Sequence, residues 1–62
     1  MMKHWTEMED LNKRTVYVNL DEVQVVLPWG ETQSQVVLSN CKLYINLRPA
    51  QVIQMMNQML GA

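Results

Sequence analysis

The most regular pattern of apolar and polar positions lies in the middle of the chain. In residues 15–20 apolar and polar side chains alternate, as they do in a strand with one buried face. Short apolar segments predict further strands at 23–27, 35–38 and 43–47. The segments between them are too short for crossover connections, so neighbouring strands are expected to run antiparallel. The pattern therefore predicts a β-meander over residues 15–47.

Polar residues, proline and glycine mark the connections. Residues 11–14 are typical of a polar turn, in which Asn12 is able to adopt a positive φ. Residues 28–34 are predicted to form a hairpin loop, because they begin with a proline and contain a glycine. Residues 39–42 are predicted to form a tight connection.

The N-terminal segment, residues 1–10, has a weaker pattern. Residues 5–9 fit a short first strand or one turn of helix, and the strand is favoured.

The period of the pattern changes near the C-terminus. Pro49 suits the first position of a helix, where its missing N–H costs nothing, and Gly61 suits the position after a helix end. Between them the apolar residues recur at helical spacing. The stripe consists of Val52, Ile53, Met55, Met56, Met59 and Leu60. A helix over residues 49–60 makes the predicted fold α+β: a small antiparallel β-meander of four to five strands followed by one C-terminal helix, in a single domain over 1–62.

The strands carry more apolar residues than one buried face requires. The face toward the helix is expected to hold Val16, Val18, Leu20, Val23, Val25, Leu27, Val36, Leu38, Leu43, Ile45 and Leu47. The opposite face would then hold Tyr17, Val26, Val37 and Tyr44, with Trp29 in the nearby loop. Scattered apolar residues are normal on monomers. The alternative interpretation, which is favoured, is a surface for protein contact.

The predicted helix has no charged residue after Arg48. Amides and methionines tolerate burial in an interface better than charges do, although methionines also fill gaps in a core. Both interpretations remain open, whereas membrane binding is disfavoured because the polar side lacks Lys and Arg. Together, the sheet and the helix predict an interface of Tyr17, Val26, Trp29, Val37, Tyr44, Gln51, Gln54, Met55, Gln58 and Met59.

Size and composition bear on what such surfaces do. The chain has 62 residues, of which 48% are hydrophobic and 18% charged, with a net charge of -1. A domain this small buries only about 60% of the surface of its unfolded chain, so association with further copies is expected. The single Cys41 forms no internal disulfide, and no apolar run reaches the roughly 18 residues of a membrane span. A cytoplasmic protein is expected.

Residues capable of catalysis are sparse. His4 is the only histidine, and Cys41 has no evident general base nearby in the sequence. The carboxylates of Glu7, Glu9, Asp10, Asp21 and Glu22 fit a solvated cluster better than a cation site. The sequence therefore predicts neither catalysis, nor a metal, nor a cofactor.

Three segments resemble FlbD-type short proteins of flagellar and swarming motility. Residues 10–23 (DLNKRTVYVNLDEV) resemble the opening of that family. Residues 38–42 (LSNCK) resemble its "L-T-N-G-K" turn, and residues 48–53 (RPAQVI) resemble the start of its helix. Lys13 and Cys41 stand where the family prefers glycine, the loop 28–34 is longer, and the acidic helix start is missing. The resemblance implies a meander fold and a non-catalytic, protein-binding role.

These observations together predict a small interaction or regulatory protein that binds itself as a homo-oligomer and also binds another protein. One alternative is an inhibitor of a host protein, encoded by a phage or mobile element. The other is a binder of single-stranded nucleic acid, in which sheet aromatics stack on bases. The low number of cations disfavours this last interpretation.

Overall fold

Five antiparallel strands are followed by one C-terminal helix, which confirms the α+β fold. The structure is a computed structural model that describes residues 4–60, and of Leu60 only the backbone. The elements are β1 (Trp5–Glu9), β2 (Thr15–Asn19), a 3₁₀ turn (Leu20–Glu22), β3 (Val23–Trp29), β4 (Gln33–Leu38), β5 (Lys42–Ile45) and α1 (Pro49–Leu60). The first segment is thus a strand, and the helix has the predicted bounds. The Leu60 side chain and Gly61 lie outside the described residues.

The strands form two sheets. One contains β1 and β2, and the other has the order β3-β4-β5. An isolated bridge links Asp10, the residue after β1, to Ile45 at the end of β5, and the Asn46 N–H donates to the Glu9 carbonyl at 2.8 Å beside it. The meander is therefore confined to the three C-terminal strands, and β1–β2 is a separate hairpin attached at one end.

The hairpin between β3 and β4 has a shorter loop than predicted. Trp29 pairs with Gln33, so only residues 30–32 connect the two strands. Gly30 adopts a φ of 66°, which glycine reaches without strain. Pro28 lies within β3, opposite Ser34. It is tolerated there because β3 is an edge strand, on which a missing N–H does not interrupt a second ladder.

A register shift in β3 changes which residues face the core. The shift lies between Val23 and Val25, where β3 has one more residue than β4. Val23 and Val26 consequently pack against the core, whereas Val25 and Leu27 are 43% and 41% exposed. The prediction that Val26 lies on the outer face and Val25 and Leu27 on the inner face is therefore wrong. Simple alternation does not hold across a bulge.

The predicted turn between β1 and β2 contains a residue with a positive φ. Lys13, and not Asn12, has the positive φ, at 64°. The Asp10 carboxylate accepts hydrogen bonds from the backbone N–H groups of Asn12 and Arg14, each at 2.9 Å. This Asx-type arrangement stabilises the turn, and the left-handed conformation falls on Lys13, which lies between the two donor residues.

The core lies between the sheets and the inner side of α1. Its buried apolar residues are Met8, Val18, Leu20, Val36, Ile45 and Val52. Ser34 is also fully buried, and its hydroxyl donates to the Leu47 carbonyl at 2.6 Å, so this polar group is satisfied within the core.

Within residues 4–60, no helix combines the length and the hydrophobicity that crossing a membrane would require.

Candidate interaction surfaces

The side of the three-stranded sheet that faces away from the core is largely apolar. We define the outer apolar face as Val25, Leu27, Trp29, Val37 and Tyr44. The register places Val25 opposite Val37, while Leu27 and Tyr44 lie on either side of Gln35. Since Ser34, Val36 and Ile45 of the same strands are fully buried, the alternate residues of β4 and β5 must point outward.

Two aromatic rings meet on this face. The Trp29 and Tyr44 ring centroids are 4.6 Å apart, and their planes are inclined by 52°. Such a tilted pair contributes about 0.5–1.5 kcal/mol beyond the area it buries. Trp29 was expected in a loop, but it ends β3, and this strand position brings it to Tyr44. Trp29 nevertheless remains 44% exposed, so the pair covers only part of its surface.

The outer apolar face carries little charge. Its remaining strand positions are occupied by Gln33, Gln35 and Lys42. Lys42 is thus the one charged residue among the strand positions of β3, β4 and β5 that share this face. A partner that covers this face would remove water from apolar side chains, from two amides and from only one charged group, so the free-energy cost of burial stays low.

Tyr17 does not belong to this face. It lies in β2 opposite Glu7 and is 65% exposed, on the side of the β1–β2 hairpin that also carries Trp5. The prediction grouped it with Val37 and Tyr44, but the structure places it in the other sheet. Sequence reasoning did not single out Trp5. Trp5 pairs with Asn19, which is two residues from Tyr17 along β2, so the Trp5 and Tyr17 side chains lie on the same side of the hairpin. This follows from the register, which the sequence does not show.

The predicted interface residues of the helix have different surroundings. Met55 packs against the core, with its sulfur 3.9 Å from the Thr6 hydroxyl oxygen. The side-chain oxygen of Gln51 accepts the Arg48 N–H at 2.9 Å, as the third helical residue does in a capping box. Gln54, Gln58 and Met59 are exposed. Of the five predicted interface residues in the helix, Gln51 and Met55 thus contact other parts of the fold, and the remaining three are exposed to solvent.

An open groove of about 500 Å³ runs beside β2. One wall is β2 itself, from Val16 to Asn19, and the other is the connection at residues 38–41. The Leu38 N–H donates to the Cys41 carbonyl at 2.8 Å and closes this connection. The Cys41 thiol is free and exposed.

Two carboxylates, those of Asp10 and Asp21, lie within reach of hydrogen-bond donors. His4 Nδ1 lies 3.0 Å from a carboxylate oxygen of Asp21, and the His4 N–H donates to the other oxygen. The two backbone hydrogen bonds in the β1–β2 turn, first that from Arg14, hold the pKa of the Asp10 carboxyl below its ordinary value of 3.8. Within residues 4–60, no three His, Cys, Asp or Glu side chains come together as a metal site would require.

Comparison with protein-family models, with curated proteins and with solved structures found no match for this chain. The resemblance to FlbD-type proteins therefore stays a prediction.

Proposed function

We propose that this protein acts by binding a target protein through the outer apolar face, and that it also associates with a second copy of itself. The observation that carries the proposal is the position of Val25, Leu27 and Trp29. Three neighbouring outward positions of one edge strand are apolar, and each is more than two-fifths exposed. Contiguous exposed apolar surface of this kind is typical of protein contact sites.

The distribution of apolar residues supports the same proposal. Among the described residues, six apolar side chains are buried while eight large apolar side chains are exposed. Covering a large apolar side chain stabilises by about 1.5–3 kcal/mol relative to leaving it in water. Burial of the outer apolar face by a partner would therefore contribute to affinity and to the stability of this small fold. The protein would act on its target by occupying a surface of it, and would thereby block that surface, bridge the target to another molecule or recruit it.

A charge placed in the middle of the face tests the proposal. Leu27→Lys adds a cation where a partner would exclude water, and the exposed position lets the fold accept it. Asn57→Lys is the matched control, because it adds the same charge at an exposed position of α1 outside the predicted interface. Each protein is immobilised, and the proteins it retains from an extract of the source cells are quantified by mass spectrometry.

We expect at least one protein that the original chain and Asn57→Lys retain equally and that Leu27→Lys loses. If Leu27→Lys retains the same proteins in the same amounts, the outer apolar face is not the contact surface. Circular dichroism of each variant establishes that the compared chains are folded.

A further inference from the structure

The hydrogen bonds of the β1–β2 hairpin show which backbone groups of β2 are unused. The Asp10 N–H donates to the Arg14 carbonyl, and the Leu20 N–H donates to the His4 carbonyl. These two pairs fix the phase of the ladder, because hydrogen-bonded and non-hydrogen-bonded pairs alternate in an antiparallel sheet. The even-numbered residues of β2 therefore bond to β1. Thr15, Tyr17 and Asn19 direct their backbone N–H and C=O groups to the opposite edge.

That edge of β2 has no strand beside it among residues 4–60. Asn19 is buried next to the 3₁₀ turn, but Thr15 and Tyr17 are exposed. The groove of about 500 Å³ runs along the same edge. By contrast, the edge strand β3 contains Pro28, a residue that blunts an edge against pairing. The open edge of β2 is thus suited to an added extended strand.

We infer that the added strand is β2 of a second copy, paired antiparallel about a two-fold axis close to Tyr17. The result is a continuous four-stranded sheet in the order β1, β2, partner β2, partner β1. This inference deepens the proposed function, on which it rests, by naming the seam through which the protein self-associates.

Charge complementarity argues for a second copy and for the antiparallel direction. The strand β2 has no charged residue, but Lys13 and Arg14 precede it and Asp21 and Glu22 follow it. In an antiparallel pair, the basic end of each β2 lies beside the acidic end of the other, and this happens twice. A parallel pair would bring like charges together at both ends. Arg14 already pairs with Asp10, and Asp21 with His4, whereas the ammonium group of Lys13 has no ion-pair partner within residues 4–60. Lys13 is therefore the cation that each copy offers to the acidic end of the other.

The side chains of β2 are compatible with this symmetry. Close to the two-fold axis, Val16 lies near the partner's valines on one side of the sheet, and the exposed ring of Tyr17 lies near the partner's Tyr17 on the other. Cross-strand pairs of β-branched and aromatic residues stabilise antiparallel sheets. Because only a few residues pair, the interface is small, and a dimer with a dissociation constant in the micromolar range is expected. The outer apolar face lies in the other sheet, so both copies present it.

The experiment combines sedimentation equilibrium with amide hydrogen exchange on the full chain. In the monomer, the Tyr17 N–H points to solvent and exchanges rapidly, whereas the Val18 N–H is bonded within the hairpin. The inference predicts that protection of the Tyr17 N–H rises with protein concentration over the range in which the mass rises from monomer to dimer. Protection of the Val18 N–H should change much less.

Two variants test the seam against the outer apolar face. Tyr17→Lys brings two like charges close to the two-fold axis and should weaken dimerisation at least about tenfold. Leu27→Lys should leave the dimerisation constant within about twofold, since its position is in the other sheet. The Tyr17 side chain is largely exposed, so the fold should accept its replacement, and the exchange measurement needs no variant.

The possible failures are distinguishable. If Leu27→Lys gives a monomer and Tyr17→Lys does not, the seam lies in the outer apolar face; the inference is then wrong and the proposed function is supported. A chain that stays monomeric up to about 1 mM, with no concentration-dependent protection at Tyr17, also overturns the inference. In that case the capture experiment with Leu27→Lys still decides the proposed binding of other proteins.

Discussion

Val25 lies directly opposite Val37 on the outer side of the sheet, whereas Val26 lies opposite Val36 on the side of the core. The bulge after Val23 produces this arrangement, since it moves every later residue of β3 by one position relative to simple alternation. Two adjacent valines thus belong to different surfaces. Their difference in burial can be measured.

Replacing each valine by threonine keeps the β-branched shape and adds one hydroxyl. Val26→Thr should lower the free energy of unfolding by about 1–3 kcal/mol, because the hydroxyl enters the packed side of the sheet without a suitable partner. Val25→Thr should change it by less than about 0.5 kcal/mol, because water can solvate the hydroxyl there. Urea unfolding followed by circular dichroism gives both values. Equal effects would contradict the assigned position of the bulge.

The turn between β1 and β2 contains a lysine in the left-handed region. At a φ of 64°, Lys13 has strain that glycine avoids. Lys13→Gly should therefore raise the free energy of unfolding by up to about 1 kcal/mol, partly offset by the greater freedom of glycine in the unfolded chain. Asn12→Gly, which replaces the neighbouring residue without relieving a positive φ, should lower stability or leave it unchanged. If Asn12→Gly raised the free energy of unfolding and Lys13→Gly lowered it, Asn12 and not Lys13 would be the residue with the positive φ.

The Asp10 carboxylate links stability to pH. Because folding lowers the pKa of this group below 3.8, the ionised form is favoured in the folded state. Its contribution is fully present above the ordinary pKa and is lost as the pH falls through the folded-state value. Asp10→Asn keeps an oxygen that accepts the turn hydrogen bonds but cannot titrate. Urea unfolding at a series of acidic pH values should show a smaller loss for Asp10→Asn than for the original chain, and parallel curves would argue against this role.

The buried hydroxyl of Ser34 holds the chain beyond β5. It donates to the Leu47 carbonyl, which connects the middle strand of the larger sheet to the segment that enters α1. Ser34→Ala leaves that carbonyl without this donor and should cost about 1–3 kcal/mol. Ser39→Ala is the control, because the hydroxyl of Ser39 bonds to Glu22 at the exposed surface and its loss should cost under about 0.5 kcal/mol. Thermal unfolding of both variants measures the difference.

The candidate surfaces were only partly predictable from local pattern. An apolar second face was expected, and Val37, Tyr44 and Trp29 do share one. Val25 and Leu27 were assigned to the wrong side because the extra residue of a bulge leaves no mark in the alternation of the sequence. Tyr17 was grouped with them because a strand pattern does not tell which strands pair, and the chain divides its strands between two sheets.

The sequence by itself determined the strands after residue 15 and the bounds of the helix, and it left residues 5–9 open between strand and helix. Alternation in residues 15–19, the proline at position 49 and the helical spacing that follows it are local signals, and local backbone preferences respond to them. The tertiary structure decided the phase of β3, the length of the loop after Trp29, the left-handed position in the first turn and the open edge of β2. Each of these depends on which backbone groups find a partner in a distant segment, and that pairing is a property of the assembled chain.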